Sequence, residues 1–143
     1  IRGVRRVTAR RGPYGAAGTV KAMIETGHTV ASSKVLVMGL AFKENCPDLR
    51  NTRGVDVIRE LEDFGCAVDV TDCWADNAEA QHEYGIALVD APKAGEYDAV
   101  FLAVPHREYA AKSTKELRAY LKTGGVLFDL KGILPLGEAD LRL

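Results

Sequence analysis

GLAFKENCPDLRNTR, residues 39–53, joins an apolar, β-branched run at residues 34–40 to a helical pattern. In an open α/β sheet, the loops that leave the carboxyl ends of the strands form the ligand site. A connection of about a dozen residues is long for a compact domain and favours a functional loop over a simple link. The sequence therefore predicts that this loop binds an anionic ligand through Lys43, Arg50 and Arg53.

The rest of the chain alternates between strand-like and helix-like patterns. Residues 97–104 are almost entirely apolar, as expected of a central parallel strand that is covered on both faces. Glycines and capping boxes separate the elements. We therefore predict an α/β fold, a Rossmann-like doubly wound parallel sheet of about five strands in three αβα layers, preceded by one helix. The predicted strands are 34–40, 67–72, 86–89, 97–104 and 126–130, and the predicted helices are 14–26, 51–65, 76–85 and 113–124. The helix at 51–65 is predicted to be capped by Asn51 or Thr52 and to bury an apolar stripe of Val55, Ile58, Leu61 and Phe64. The last helix is predicted to begin with a capping box at Ser113 and to stop at Gly124 and Gly125.

Length and charge restrict the class of protein. The 143 residues suffice for one ordinary core, with residues 1–31 predicted as a basic segment and connecting helix and residues 32–143 as the ligand-binding domain. The 19 Lys and Arg residues oppose 20 Asp and Glu residues, so the net charge of −1 gives no general attraction to nucleic acid or to an anionic membrane. The longest apolar run, 35–42, is far shorter than the ~20 residues that cross a bilayer. We expect a cytoplasmic protein with no nucleic-acid or membrane partner.

The cysteines and histidines show no metal-ligand spacing. Three cysteines without a C-x-x-C pair fit reduced thiols better than a disulfide framework. Cys66 and Cys73 bracket a predicted strand that holds them roughly 20 Å apart. His28 and His82 stand alone and are predicted to be surface residues, and Cys46 is predicted to line the pocket. The sequence predicts no metal site.

Several segments carry a family resemblance. The pattern G-x-x-F-K, then D-x-R-x-T, lies at residues 39–52, and further matching segments are 70–72, 103–109, 128–132 and 141–143. Together they resemble the C-terminal, UDP-binding domain of the UDP-glucose/GDP-mannose dehydrogenase family. The loop is most similar to the branch that oxidises UDP-N-acetylhexosamines for bacterial surface polysaccharides such as capsule and O-antigen.

The resemblance implies a set of ligand contacts. In the family, the F-K pair and the basic residue of a D-x-[RK] motif line the uridine diphosphate pocket, and the D-x-R pair fixes the loop. The residues alone agree, because a lysine can neutralise a diphosphate and a phenylalanine can stack on a base. No catalytic residue is predicted. The predicted substrate-binding residues are Phe42, Lys43, Arg50, Arg53 and Lys131, with Asp48, Asp72, His106 and Asp129 as pocket support.

Two of the supporting residues directly follow predicted strands. Asp72 stands where dinucleotide-binding folds place the acid that holds a ribose. The turn after the first strand has Gly39 but no G-x-G-x-x-G, so the pyrophosphate of NAD cannot approach the backbone there as it does in an NAD site. Asp72 is therefore predicted to be a turn or cap residue and not an NAD ligand. His106 has no recognisable nucleophile motif beside it, which favours a hydrogen-bonding, loop-ordering role over catalysis.

The resemblance also implies a larger enzyme. Family members take NAD on an N-terminal domain and carry the catalytic cysteine upstream of this region. We therefore expect this chain to bind a UDP-sugar, to bind no cofactor by itself, and not to catalyse alone. Its expected partners are the NAD-binding and central helical domains of the parent enzyme, with a homodimer as a further option.

Alternative interpretations stay open. A free-standing module for a nucleotide or another phosphorylated ligand would use the same loop. A phosphoacceptor signalling domain would need a cluster of acids after its first and third strands to hold Mg²⁺, and those strand ends carry none here. A nucleic-acid role for the arginines near the N-terminus has no aromatic surface motif beside it.

Overall fold

The computed structural model describes residues 33–41, 43–49, 54–130, 132–135 and 137–142. Within these ranges, one parallel sheet has the strand order β2-β1-β3-β4-β5. Four strands have five residues or more, and β5 has two. The strands are β1 (Lys34–Met38), β2 (Ala67–Thr71), β3 (Tyr97–Leu102), β4 (Leu121–Asp129) and β5 (Leu141–Arg142), and the helices are α1 (Gly54–Asp63), α2 (Asn77–Tyr84), α3 (Arg107–Ala110) and α4 (Thr114–Arg118).

Alternating side chains along the strands divide the core into two layers. Val35 and Val37 of β1 lie in a buried cluster with the apolar face of α1. Leu36 and Met38, which point the other way, lie in a second cluster with Leu117 of α4. Because both faces of the sheet are covered, the predicted doubly wound αβα architecture is confirmed.

The first crossover helix, α1, follows its predicted stripe for most of its length. Ile58 and Leu61 are buried, and Val55 packs against the same cluster. Phe64 is 41% exposed, so its assignment to the stripe is wrong. The helix ends at Asp63, and Phe64 therefore lies in the turn beyond the last helical position.

The boundary between α4 and β4 differs from the prediction. The capping box on Ser113 is present, but α4 ends at Arg118, not near Gly124. Residues 121–125 instead begin β4, because Leu121 pairs with Tyr97 of the neighbouring strand. Pairing with β3 overrides the local stop signal of the two glycines.

Two other strand assignments also change. The predicted strand at 86–89 is reduced to a single bridge between Leu88 and Val70, whereas the unpredicted β5 pairs with the end of β4. The helix predicted over 76–85 is confirmed, with Asp76 as its N-cap and Gly85 as its C-cap. The predictions at 14–26, at the 31/32 boundary and at the cap of α1 lie outside the described residues. None of the helices described here is long and apolar enough to span a membrane.

Candidate functional site

The strand register brings the carboxyl ends of four strands to one edge of the sheet. Thr71, Met38, Leu102 and Asp129 are paired in one row across β2, β1, β3 and β4. The chain therefore leaves all four strands at the same edge, which we call the carboxyl edge. Ligands of open α/β sheets bind outside this edge. The β1–α1 loop, residues 39–53, begins there.

Gly39 lets the β1–α1 loop start close to the end of β3. Its φ is +105°, and a Cβ added to it would lie 2.5 Å from Cβ of Val104. The two segments are this close because the Met38 carbonyl accepts hydrogen bonds from the N–H groups of Ala103 and Val104, at 3.0 and 3.2 Å. Only glycine fits this crossing without displacing the backbone.

Asp72 is a buried acceptor at the carboxyl end of β2, the outermost strand on one side of the sheet. Its Oδ2 accepts hydrogen bonds from the N–H groups of Leu40 and Ala41, at 2.7 and 2.8 Å. Its Oδ1 accepts from Trp74 and Ala75, at 2.8 and 2.9 Å. The carboxylate therefore ties the start of the β1–α1 loop to the turn after β2, as a turn-forming residue would.

The charge of Asp72 is held by its donors. Burial by itself raises the pKa of a carboxyl group, but hydrogen bonds from His106 and from the N–H groups of Ala41, Leu40 and Trp74 outweigh it. The result is a pKa lowered to about 2. Asp72 is therefore an ionised structural acceptor at neutral pH, not a proton donor.

His106 links Asp72 to the middle of the β1–α1 loop. Its Nε2 lies 3.0 Å from the Asp72 carboxylate, and its Nδ1 accepts a hydrogen bond from the N–H of Asn45 at 2.9 Å. Because Nδ1 is an acceptor, the ring proton lies on Nε2 and is donated to Asp72. The side chain is 0% exposed. These are the loop-ordering contacts that the sequence favoured for His106.

An aromatic cover lies over His106. The ring of Trp74 stacks on the imidazole at a centroid distance of 6.1 Å, and the ring of Tyr109 lies 5.6 Å away. Trp74 is held in turn by the guanidinium of Arg107, 5.1 Å from its ring, and by a hydrogen bond from its Nε1 to Glu108 at 2.8 Å. This cover keeps water away from the pair that His106 forms with Asp72.

The end of the loop and the segment after β4 are also fixed. Tyr84 Oη donates to the carbonyl of Leu49 at 2.5 Å. Asp129 is 0% exposed, and its carboxylate accepts from the N–H groups of Gly132 and Leu134, at 2.9 and 2.8 Å. Asp129 therefore fixes the backbone from Gly132 to Leu134 next to the end of β4.

The structure describes five of the nine predicted site residues. Asp72 and His106 are in direct contact, and Asp129 lies at the same edge. Lys43 is exposed on the loop, and Asp48 is half-buried. The other four predicted substrate-binding residues, Phe42, Arg50, Arg53 and Lys131, lie outside the described residues.

Sequence reasoning missed Asn45 and Trp74 as parts of this edge. Asn45 adopts a φ of +57°, and its Oδ1 accepts from the N–H of Arg107 at 2.7 Å. Asparagine is one of the few residues other than glycine that tolerate this conformation, which is the signal that the sequence offered. No local pattern connects Trp74 to His106, which is distant in sequence.

The polar groups at the opposite edge of the sheet satisfy one another. The Asp98 carboxylate accepts from the N–H of Lys34 at 2.8 Å and lies 3.5 Å from Lys122 Nζ. Tyr97 Oη donates to Asp69 at 2.7 Å, and burial followed by this bond raises the pKa of the phenol. This edge shows a structural network and no convergent site among the described residues.

Two of the cysteines, Cys66 and Cys73, have thiols with raised pKa values. Burial, followed by the nearby charge of Asp98, raises the pKa of Cys66. Burial is also the largest cause of the raised pKa of Cys73, although its side chain is exposed. A thiol with a raised pKa is a poor nucleophile at neutral pH. Cys46 is half-buried in the loop, as a pocket-lining residue would be.

A parallel, doubly wound sheet with a long anchored loop at its carboxyl edge defines a Rossmann-like α/β ligand-binding domain. The structure of NDP-N-acetyl-D-galactosaminuronic acid dehydrogenase from Methanosarcina mazei has this fold, with a TM-score of 0.74 over 92% of this chain and 28% of that chain, at 22% identity. The family model for the UDP-binding domain of the UDP-glucose/GDP-mannose dehydrogenase family matches residues 36–135. The chain belongs to this family.

Relatives with known names cover almost the whole chain. The UDP-N-acetyl-D-glucosamine 6-dehydrogenase of Salmonella typhi is 43% identical over 139 residues, which are 97% of this chain and 33% of that protein. The enzyme of the same name from Pseudomonas aeruginosa is 45% identical over the same shares. The chain therefore spans about a third of the length of these relatives.

Proposed function

We propose that this chain holds the uridine diphosphate part of a UDP-N-acetylhexosamine at the carboxyl edge, with residues 32–143 as the binding domain. The observation that carries the proposal is the match of a UDP-binding domain model to residues 36–135, a range that includes the β1–α1 loop and the strand ends at Asp72, His106 and Asp129. The N-acetylhexosamine is favoured by the two relatives named UDP-N-acetyl-D-glucosamine 6-dehydrogenase.

The exposed lysine of the β1–α1 loop is the proposed contact to the diphosphate. Lys43 follows the carboxyl end of β1, and an ammonium there pairs with a phosphate through charge-assisted hydrogen bonds. Phe42 is proposed to stack on the base and Lys131 to contact the nucleotide beside it, with Arg50 and Arg53 adding positive charge. The anchored part of the loop would hold Lys43 in place before the ligand arrives, which lowers the entropy cost of binding.

In the complete enzyme, we propose that this chain binds the nucleotide while the sugar reacts at another domain. The sugar C6 alcohol would be oxidised to a carboxylate by two hydride transfers to NAD, which would be held by a domain outside this sequence. Binding energy from the diphosphate would then position a carbon that the chain itself does not touch. The NAD-binding and central helical domains, and a second copy in a homodimer, are the proposed partners. The uronic acid product would serve cytoplasmic synthesis of surface polysaccharide.

Titration calorimetry tests the proposal directly. We expect the purified chain to bind UDP more tightly than ADP or GDP, and to bind it weakly because one wall of the pocket lies outside this sequence. Circular dichroism of the same sample checks that the fold is intact. A folded chain that binds none of the three nucleotides would refute the proposal.

A further inference from the structure

Asn45 follows Lys43, the proposed diphosphate contact, by two residues and is bonded to the buried pair formed by Asp72 and His106. Its N–H donates to Nδ1 of His106 at 2.9 Å, and its Oδ1 accepts from the N–H of Arg107 at 2.7 Å. One residue of the loop is therefore hydrogen-bonded both to His106, the last residue of the turn between β3 and α3, and to Arg107, the first residue of α3.

The backbone of Asn45 makes both bonds available. Its φ of +57° turns the N–H and the side chain toward the same segment of the neighbouring strand end. Most residues lose about 1 kcal/mol or more in this left-handed conformation, whereas asparagine and glycine adopt it readily. The conformation and the side-chain acceptor are therefore two separate requirements at position 45, and different substitutions remove them separately.

We call the two hydrogen bonds that Asn45 makes to His106 and Arg107 the clamp. His106 is held in place by buried contacts of its own. His106 is fully buried, its Nε2 donates to Asp72, and the Trp74 ring covers it. Asp72 also holds the N–H groups of Leu40 and Ala41, so the loop is fixed both at its start and at Asn45. The two residues proposed to contact the nucleotide, Phe42 and Lys43, lie between these fixed points in sequence.

We infer that Asn45 is a positioning residue for nucleotide binding, because its bonds to His106 and Arg107 hold the part of the loop that carries Lys43 next to the turn after β3. This inference rests on the proposed function, since it concerns the same site. Asn45 is proposed not to contact the nucleotide itself but to affect its binding by holding the loop. If the clamp opens, the apparent affinity falls in proportion to the fraction of molecules with the loop in place.

Three substitutions at position 45 separate the two requirements. Asn45→Ala removes the acceptor and disfavours the conformation, and we expect it to weaken UDP binding by about three- to thirtyfold. Asn45→Gly keeps the conformation and removes the acceptor, and we expect a loss of about two- to tenfold. Asn45→Asp keeps both the left-handed conformation and the side-chain acceptor. Because its added negative charge also repels a diphosphate, this variant is tested by amide exchange and not by UDP affinity.

The matched control is Asn77→Ala. Asn77 is another asparagine whose Oδ1 accepts one backbone N–H, that of Leu88 at 2.8 Å, but it lies outside the β1–α1 loop. We expect this substitution to leave UDP affinity within about twofold of the wild type. If Asn45→Ala and Asn77→Ala change UDP affinity equally, the positioning role is overturned.

Amide hydrogen exchange, followed by NMR, tests the clamp without a ligand. We expect the amides of residue 45 and Arg107 to be protected in the wild type and in Asn45→Asp. Protection of Arg107 should be lost in Asn45→Gly, and protection of both amides in Asn45→Ala. Free exchange at both positions in the wild type would overturn the inference. A wild type with protected amides that binds no UDP would refute the proposed function and, with it, the ligand role of Asn45, while the clamp would stand as a structural feature.

Discussion

His106 Nε2 lies 3.0 Å from the carboxylate of Asp72, and both side chains are completely buried. Four backbone N–H groups converge on the same carboxylate, from Leu40, Ala41, Trp74 and Ala75. A buried carboxylate with this many donors is stabilised in its charged form. The stability of the carboxyl edge is therefore linked to pH through one residue.

Acidification should weaken the fold through Asp72. Its pKa in the folded chain is about 2, below the ordinary 3.8, so its contribution to stability is present above pH 4 and is lost as the pH falls towards 2. Since one pKa unit corresponds to about 1.4 kcal/mol, the loss should be roughly 2 kcal/mol. Urea unfolding of the wild type and Asp72→Asn at several pH values between 7 and 2 measures it. The variant should be less stable at pH 7, and the gap should close towards pH 2.

The control for this experiment is Asp90→Asn, which changes an exposed carboxylate. It should follow the wild-type pH dependence. A constant gap between the wild type and Asp72→Asn across the whole range would contradict the linkage.

Gly39→Ala should destabilise the fold strongly. The new Cβ would lie 2.5 Å from Cβ of Val104 at a backbone φ of +105°. We expect a loss of about 3 kcal/mol or more, from conformational strain and from separation of the ends of β1 and β3. Thermal and urea unfolding measure this loss.

Gly95→Ala separates the cost of a positive φ from the cost of the contact between the new Cβ and Val104. Gly95 also has a positive φ, +70°, but a Cβ there would meet nothing within 4 Å. It should cost only about 1 kcal/mol. Equal losses at positions 39 and 95 would show that the close approach to Val104 is unimportant.

Lys43→Ala tests the proposed diphosphate contact. Loss of a charge-assisted hydrogen bond worth about 1.5–3 kcal/mol should weaken UDP binding by roughly ten- to a hundredfold, with little change in melting temperature. Calorimetric titration with UDP measures the affinity. Lys93→Ala, at another exposed lysine, is the control. If both variants bind UDP equally well, Lys43 is outside the site.

The chain alone should neither bind nor reduce NAD. Its first strand is followed by a turn without G-x-G-x-x-G, so no glycine-rich backbone can approach a pyrophosphate. The raised pKa values of Cys66 and Cys73 also make them poor nucleophiles. Incubation with NAD and UDP-N-acetyl-D-glucosamine, followed by NADH absorbance, tests this. NADH formation by the purified chain would contradict the proposed division of labour between domains.

Local patterns predicted the strands well and the element ends less well. Runs such as Tyr97–Leu102 are apolar because both faces of the strand are covered, so the sequence alone reveals them. The start of β4 at Leu121 could not be predicted, because a distant strand supplies its partner, Tyr97. The two residues of β5 are too few to show any periodicity.

The candidate site could be predicted only where a polar residue follows an apolar run. Asp72 and His106 stand out for this reason, and the parallel topology brings them together. Asn45 could not be found in this way, because its partners His106 and Arg107 lie 61 and 62 positions further along the chain. Contacts of this kind depend on the folded geometry of two loops, which no local pattern encodes.

Among the residues that the structure describes, every donor to the Asp72 carboxylate apart from His106 is a main-chain amide. Any amino acid except proline supplies that amide. The bonds to Asp72 alone therefore exclude only proline at positions 41, 74 and 75, and it is packing that restricts the side chains there, as the stacking of Trp74 on His106 shows. A descendant of this domain could change what it recognises by exchanging residues along the edge, and proline is the substitution that selection should remove from these positions.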